Sequence, residues 1–307
     1  MWLAARLARR RFMSGLSIVI PAHNEGAVVA RTLKSILANK LDRAVQIIVV
    51  ANGCTDNTAE VVRGFAPTVE LIETPVGSKS NALNLGDRAA KYDLRAYLDA
   101  DIELSDNALQ QVVDAFKDPS VRLAMPQARH VYRGSNPVLA GYYHLWRSMP
   151  YVRKGAMGGG FYAIDKELRS RFTEFPTLTA DDKFTRNIAK PSERHVVQGC
   201  YATVTMPQTF GDLLKVKTRW TYGNLELSSL RPDLDVNDKH KHEGAFGYLF
   251  WRPWLWLNVP AFVFVFVYAQ IAARKRFAKK QSAWERDEST RPFTPPTPAG
   301  TTAQQAA

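Results

Sequence analysis

An α/β architecture, a mostly parallel sheet flanked by helices, is the fold class this sequence predicts. Three observations carry it. Short apolar, β-branched runs alternate with segments of helical periodicity from Leu16 to Asp101, the pattern of strand–helix units rather than of hairpins. Polar clusters at 22–25, 52–56 and 99–101 recur where the apolar runs stop, and such sheets bind ligands at the carboxyl ends of their strands. The chain has 307 residues, 46% of them hydrophobic and only two of them cysteine. That is long enough for a sizeable core and excludes a disulfide-stapled scaffold or a Cys-rich zinc module.

The elements follow in order. Residues 16–20 read as a buried strand stopped by Pro21. Residues 26–37 place Val28, Val29, Leu33, Ile36 and Leu37 on one helical face. A second strand covers 45–50, and a helix over 58–64 starts behind Asp56 or Asn57 and closes at Gly64. Strand 69–73, helix 79–90 and strand 95–98 complete the alternating half. Beyond it lie a helix over 105–116 capped by Ser105 or Asp106, a strand over 121–128 and an aromatic-rich helix over 137–149. Three glycines, 158–160, precede an apolar strand over 161–164. A helix over 179–189 opens on two acids, one or two strands fall within 195–207, and 215–230 is again helical.

Residues 253–273 carry no formal charge and as a helix would reach roughly 31 Å, about one bilayer core. Trp251, Trp254 and Trp256 stand at one end, and Arg274, Lys275, Arg276, Lys279 and Lys280 at the other, the anchors of a membrane interface. The net charge of +12 is concentrated there and in Arg6, Arg9, Arg10 and Arg11. A nucleic-acid binder spreads basic residues over a working face, so the charge points to an anionic membrane surface and away from nucleic acid. The first residues are no secretory signal, because arginines interrupt the apolar stretch. The expected organisation is a basic extension over 1–14, a catalytic α/β domain over 15–235, a membrane-associated helical segment over 236–280 and a Pro-rich tail over 281–307. A full span would send the basic flank outward against the positive-inside tendency, which favours an interfacial or re-entrant helix over a crossing one.

The chemistry concentrates at Asp99-Ala100-Asp101, directly after an apolar strand. Two carboxylates on one turn can share a hard divalent cation, Mg2+ or Mn2+, that completes its shell with substrate phosphates. None of the histidines has convincing metal-ligand spacing, and Cys54 has no paired base.

The run SIVIPAHNEGAVVARTLKSIL, then VVANGCTDNTAEVV, GSKSNALNLG and YLDADIELSDNAL resembles family 2 glycosyltransferases of the GT-A (Rossmann-like) fold. GGGFYAI, TADDKFTRN and KTRWTYGN extend the resemblance to about residue 225. It implies a membrane-associated, metal-dependent, inverting transferase at the cytoplasmic face, where nucleotide sugars are made. It places Pro21, Ala22, Asn24, Glu25 and Asn52 around base and ribose, Lys79 at base or phosphate, Asp99 near ribose or metal and Asp101 on the metal. The family usually has aspartate where this chain has Ala51 and Asn52; uridine is its commonest base, so a UDP-sugar is the expected donor.

A leaving diphosphate needs positive charge as it departs, and Arg219 is the guanidinium expected to supply it, although Val216 stands where the family has glutamine. Trp220 offers a flat face to a sugar, and Gly159 and Gly160 let an acceptor approach the backbone. The family pattern assigns the general base to Asp182, with Asp181 beside it as a helix-capping acid. The acceptor is a saccharide or a lipid-linked hydroxyl. The competing readings are a nucleotidyltransferase of similar fold and a catalytically inactive nucleotide-binding protein.

Overall fold

The computed structural model describes residues 15–153, 159–237 and 252–279. The expected extension 1–14, Gly158, Trp251 and the tail 281–307 lie outside the described residues. Strands are β1 (Gly15–Ala22), β2 (Ala44–Asn52), β3 (Val69–Thr74), β4 (Leu94–Leu98), β5 (Glu103–Leu104), β6 (Leu123–Val131), β7 (Phe161–Ile164) and β8 (Arg194–Thr205). The main helices are α1 (Val29–Ala38), α2 (Thr58–Arg63), α3 (Lys79–Ala89), α4 (Ala108–Ala115), α5 (Pro137–Ser148), α6 (Asp181–Ile188), α7 (Phe210–Leu230) and α8 (Val259–Ala278).

The strands form one sheet in the order β3-β2-β1-β4-β7-β6-β8-β5. The alternating half predicted from sequence is its parallel half, β3-β2-β1-β4. Beyond β4 the sheet is mixed: β7 runs antiparallel to β4 and β6, β6 and β8 are parallel, and β5 is antiparallel to β8. The register pairs Leu98 with Phe161. Strand β7 therefore begins where β4 ends, and Gly160 comes to lie beside Asp99. A break in the β6–β8 register at Pro126/Gln127 falls where proline removes a ladder donor.

Both faces of the sheet are covered. Val29, Leu33 and Ile36 of α1, with Leu109, Val112 and Val113 of α4, bury one face. Ala82 and Leu83 of α3, Phe184 of α6 and Leu227 of α7 bury the other. A third cluster joins α5, α7 and α8 through Leu139, Tyr143, Trp146, Leu213 and Val265.

Several boundaries differ from the sequence reading for local reasons. Helix α7 begins at Phe210 rather than 215, because Thr209 caps it by accepting the Asp212 N–H at 3.1 Å. Ser105 does not cap α4; its Oγ accepts the Tyr201 N–H at 2.9 Å, and Asn107 takes the cap position with φ 58°. The apolar C-terminal segment is a 3-10 turn, Pro253–Asn258, followed by α8, which continues through Arg274, Lys275 and Arg276.

Candidate active site

The first rim loop is held by Asn24. Its φ of 53° lies in the left-handed region, which asparagine tolerates better than most residues. Its Oδ1 accepts the N–H groups of Thr55 at 2.6 Å and Asp56 at 3.3 Å. The Glu25 N–H donates to Thr58 Oγ1 at 2.7 Å, and the Gly26 N–H to Asp56 Oδ2 at 3.0 Å. Asn52, expected beside the base, is instead a tie between strand ends. Its side chain is buried and donates to the Ala22 carbonyl at 2.8 Å, while its own carbonyl meets His23 Nδ1 at 2.6 Å. Gly53 has φ 55°, and a Cβ there would stand 2.7 Å from the Gly77 Cα; only glycine permits that approach. The loops after β1, β2 and β3 are thereby one interlocked rim. Pro21 and Ala22 are buried at its base.

Lys79 opens α3 behind Ser78, whose hydroxyl caps the helix by accepting the Asn81 N–H. A lysine at a helix N-terminus faces the positive end of the dipole, so its ammonium is drawn to acids. It meets two: Asp99 Oδ1 at 2.7 Å and Asp181 Oδ1 at 2.9 Å. Burial works against its charge, but Asp181 and Asp99 outweigh burial and hold the ammonium well above its ordinary range. The Asp99-Asp101 turn and the strand after it are held by β7 and α1. The Asp99 N–H donates to the Gly160 carbonyl at 2.8 Å. Thr32 Oγ1 donates to the Ala100 carbonyl at 2.8 Å, and the Leu104 N–H donates to Ser35 Oγ at 3.1 Å. Gly160 has φ 59°; a Cβ there would lie 2.7 Å from Ile102 Cγ1 and 3.1 Å from Asp99 Oδ2.

The structure turns the two acids in different directions. Asp181 is buried and faces Lys79, whereas Asp182 is exposed and accepts the N–H of its neighbour Lys183 at 2.7 Å. Nor is Asp181 the cap: Ala180 occupies that position without a side-chain bond, and Asp181 sits in the first turn, where the helix dipole favours a carboxylate. Burial pushes the Asp181 carboxyl up to about 6, with Lys79 opposing and Asp182 and Asp99 adding to the rise. Two carboxylates share one ammonium, and the more deeply buried of them, Asp181, is raised. Thr185 donates to the Asp181 carbonyl at 3.0 Å and lies 3.4 Å from the Tyr162 hydroxyl.

Helix α7 closes the site. A Cβ at Gly223 would stand 3.0 Å from the Ala180 Cβ, and Glu226 accepts the Thr179 N–H at 2.7 Å, so α7 seats the start of α6 directly. One turn earlier, Trp220 lies with its ring centroid 6.3 Å from that of Trp146. Arg219 is partly exposed beside it. His195 is exposed at the start of β8, near Asp118 and away from this rim. The sequence reading missed Thr32, Ser35 and Lys217; the first two are ordinary helix residues until the fold brings α1 under the Asp99 turn.

Among the described residues no group of three or more acids, histidines or cysteines is placed to hold a metal. Two carboxylates on one pinned turn nevertheless suit a hard cation whose remaining ligands come from phosphate oxygens. An α/β rim that gathers such a turn, a third acid and a lysine defines a transferase handling a phosphate-bearing donor. The profile of Glycosyl transferase family 2 matches residues 17–201, and the chain belongs to that family and is a glycosyltransferase. It is 25% identical over 242 residues to poly-β-1,6-N-acetyl-D-glucosamine synthase of Staphylococcus aureus (strain COL), covering 70% of this chain and 56% of the relative. The synthase of the same description from Staphylococcus epidermidis matches at 25% over 239 residues. The chain thus spans about half the length of the curated relatives it matches. The mannosyltransferase PcManGT of Pyrobaculum calidifontis, solved with GDP-Man and Mn2+, superposes with a TM-score of 0.54 at 20% identity, covering 93% of this chain and 82% of the other. S. aureus TarS 1-349 gives 0.50 at 14%, covering 70% and 65%. These likenesses establish the GT-A fold.

Proposed function

We propose that the chain is an inverting glycosyltransferase that moves a sugar from a nucleotide-sugar donor to a hydroxyl of a saccharide or lipid-linked acceptor at the cytoplasmic face of a membrane. The observation that carries this reading is the Lys79 bridge between Asp99 and Asp181, which puts a buried acid within one ammonium of the carboxylate turn. The interlocked rim, with Asn24 and Glu25, holds the nucleotide, and its diphosphate lies toward Asp99, Asp101 and Lys79, with Arg219 as a further cation. Asp99 and Asp101 are the residues that would hold Mg2+ or Mn2+, which when bound offsets the charge of a departing diphosphate. The mannosyltransferase solved with GDP-Man and Mn2+ supports both donor class and metal.

Asp181 is the base. It takes the proton of the acceptor hydroxyl as that oxygen bonds to the anomeric carbon, and the carbon–oxygen bond to the diphosphate breaks on the opposite face. One bond forms, one breaks, and the anomeric configuration inverts. A carboxyl raised to about 6 is a stronger base than an ordinary aspartate and is still ionised near neutrality.

The lipid face is α8. Phe210 of α7 stacks on Phe264 and Tyr222 meets Phe277 edge to face, so the two helices run side by side for about 18 Å. Leu257, Trp254, Phe264 and Phe266 are exposed on α8 and the turn before it. A crossing by α8 would carry Asp212, Lys215 and Arg219 of α7 into hydrocarbon, at several kcal/mol. The helix is therefore read as lying in the membrane interface, its apolar side down.

The test is a panel of nucleotide sugars, UDP-sugars first and GDP-mannose second, assayed with Mn2+ for release of nucleoside diphosphate. Asp181→Asn is expected to lower kcat by about 10²- to 10⁴-fold, and Asp182→Asn by less than about threefold. Equal loss in both variants, or release of pyrophosphate instead, would refute the assignment.

A further inference from the structure

Lys217 on α7 is a cation that the proposed reaction leaves unassigned. Its Nζ lies 4.1 Å from the ring centroid of Trp146, 4.1 Å from that of Trp220 and 6.0 Å from that of Tyr142. Its recorded partners are these rings; among the described residues no carboxylate pairs with it. The neighbouring lysine of the same helix, Lys215, does have one, Asp212 at 2.9 Å. Aromatic faces attract an ammonium but leave its N–H groups without acceptors, and a recessed charge of that kind is costly unless something anionic completes it. Burial lowers the Lys217 ammonium to about 7, consistent with a cation lacking its counter-charge. Lys217 and Trp220 keep partial exposure while Trp146 and Tyr142 are buried behind them, so the cage opens on its Lys217–Trp220 side.

Position narrows what that ligand is. Trp220 lies one turn before Gly223, which touches Ala180 next to Asp181. On the other side Tyr142 stacks on Phe262 of α8 at 5.7 Å. The cage thus stands between the base and the helix that faces lipid, where the anionic part of an acceptor anchored in the interface would have to pass. We propose that Lys217, held against the buried rings of Trp146 and Tyr142, forms with Trp220 an acceptor subsite for a phosphate ester, Trp220 taking the adjoining sugar or alkyl chain and the ammonium the phosphate. This deepens the glycosyl-transfer reading and rests on it. The phosphate belongs to the acceptor itself or to a membrane phospholipid that docks beside it.

Three measurements on the full chain test the subsite. First, inorganic phosphate is titrated against indole fluorescence, without donor or acceptor. The unsubstituted chain is expected to show a saturable change that Lys217→Gln lacks and Lys217→Arg retains. Second, KM is compared between a polyprenyl-phosphate-linked sugar and the same sugar on a neutral alkyl chain. Lys217→Gln is expected to raise KM about tenfold for the phosphate-bearing acceptor, the loss of one charge-assisted contact, and so to erase the preference between the two, with kcat little moved. Third, binding to phosphatidylglycerol vesicles is compared with binding to phosphatidylcholine. Loss of the anionic preference in Lys217→Gln with no change in the acceptor preference assigns the phosphate to the phospholipid. A phosphate response unaltered in Lys217→Gln overturns the subsite, and so do equal KM changes for both acceptors. Donor hydrolysis by the unsubstituted chain is read in parallel. Its absence alongside a Lys217-dependent phosphate response would sink the glycosyl-transfer reading and leave the anion site standing.

Discussion

Replacing Lys79 by methionine tests the electrostatics of the site at one point. The ammonium stands 2.9 Å from Asp181 and 2.7 Å from Asp99, and it is the influence that opposes burial at Asp181. At an effective dielectric of about 20 the direct attraction is about 6 kcal/mol. Much of that is offset by desolvation, and an opposite charge at this range ordinarily shifts a carboxyl by about 1–3 units. With the ammonium gone, Asp99 also acts on Asp181 without compensation, in the same upward direction. Taking about two units, or about 3 kcal/mol, the Asp181 carboxyl moves from about 6 to about 8. A base must be ionised, so kcat/KM rises with pH through this value. At pH 7 the ionised share falls from about nine-tenths to about one-tenth, roughly a ninefold loss recovered by about pH 9. The assay is nucleoside diphosphate release at saturating Mn2+ across pH 5 to 9.5, and the readout is the position of the acid limb rather than the overall rate, which also reflects donor binding. Lys79→Arg keeps the cation and should leave the limb near its original place. An acid limb that stays put or moves down in Lys79→Met would refute the argument.

Further outcomes follow from other contacts. Gly160→Ala must adopt φ 59° and displace Ile102, and is expected to cost about 1–3 kcal/mol. Because its carbonyl holds the Asp99 N–H, it should also weaken the stabilisation by Mn2+ and nucleotide seen in thermal unfolding; unchanged stabilisation would detach Asp99 from the metal. Asp87 is buried and bonded to Arg169 at 2.6 Å, with Arg95 and Tyr97 beside it. Burial opposes its charge, yet these partners hold its carboxyl below the ordinary value. Its stabilising share is therefore present above the ordinary carboxylate range and lost as pH falls through the lowered folded value. Asp87→Asn should lower stability by about 3 kcal/mol in urea unfolding at pH 7 and by less at pH 3. Replacing Trp254, Leu257 and Phe266 by serine should reduce binding to phosphatidylglycerol vesicles more than a hundredfold, from about 2 kcal/mol lost per side chain. The unfolding midpoint in water should barely move; a collapse of the midpoint instead would mean the face packs on protein.

The parallel half of the sheet was legible because each strand is a short apolar run closed by a polar cluster, and those clusters do meet at one rim. What could not be read is direction. Asp181 and Asp182 are adjacent and chemically alike, and which one turns inward depends on how α7 seats Ala180 through Gly223. The resemblance placed Asn52 beside a base; the partner its side chain has here, the Ala22 carbonyl, exists only once β1 and β2 are in register. The cage around Lys217 was hidden for the same reason. Its rings come from two helices, and nothing in the spacing of Trp146 and Lys217 announces that they touch.

Helix α7 touches the turn that carries Asp181, the proposed base, on one flank and α8, the helix proposed to face lipid, on the other. Gly223 of α7 meets Ala180 directly, so a sideways push on α8 would be passed to that turn by α7 itself. On that reading, lateral pressure in the membrane, or its replacement by a detergent micelle, would act through α7 on the segment that holds Asp181.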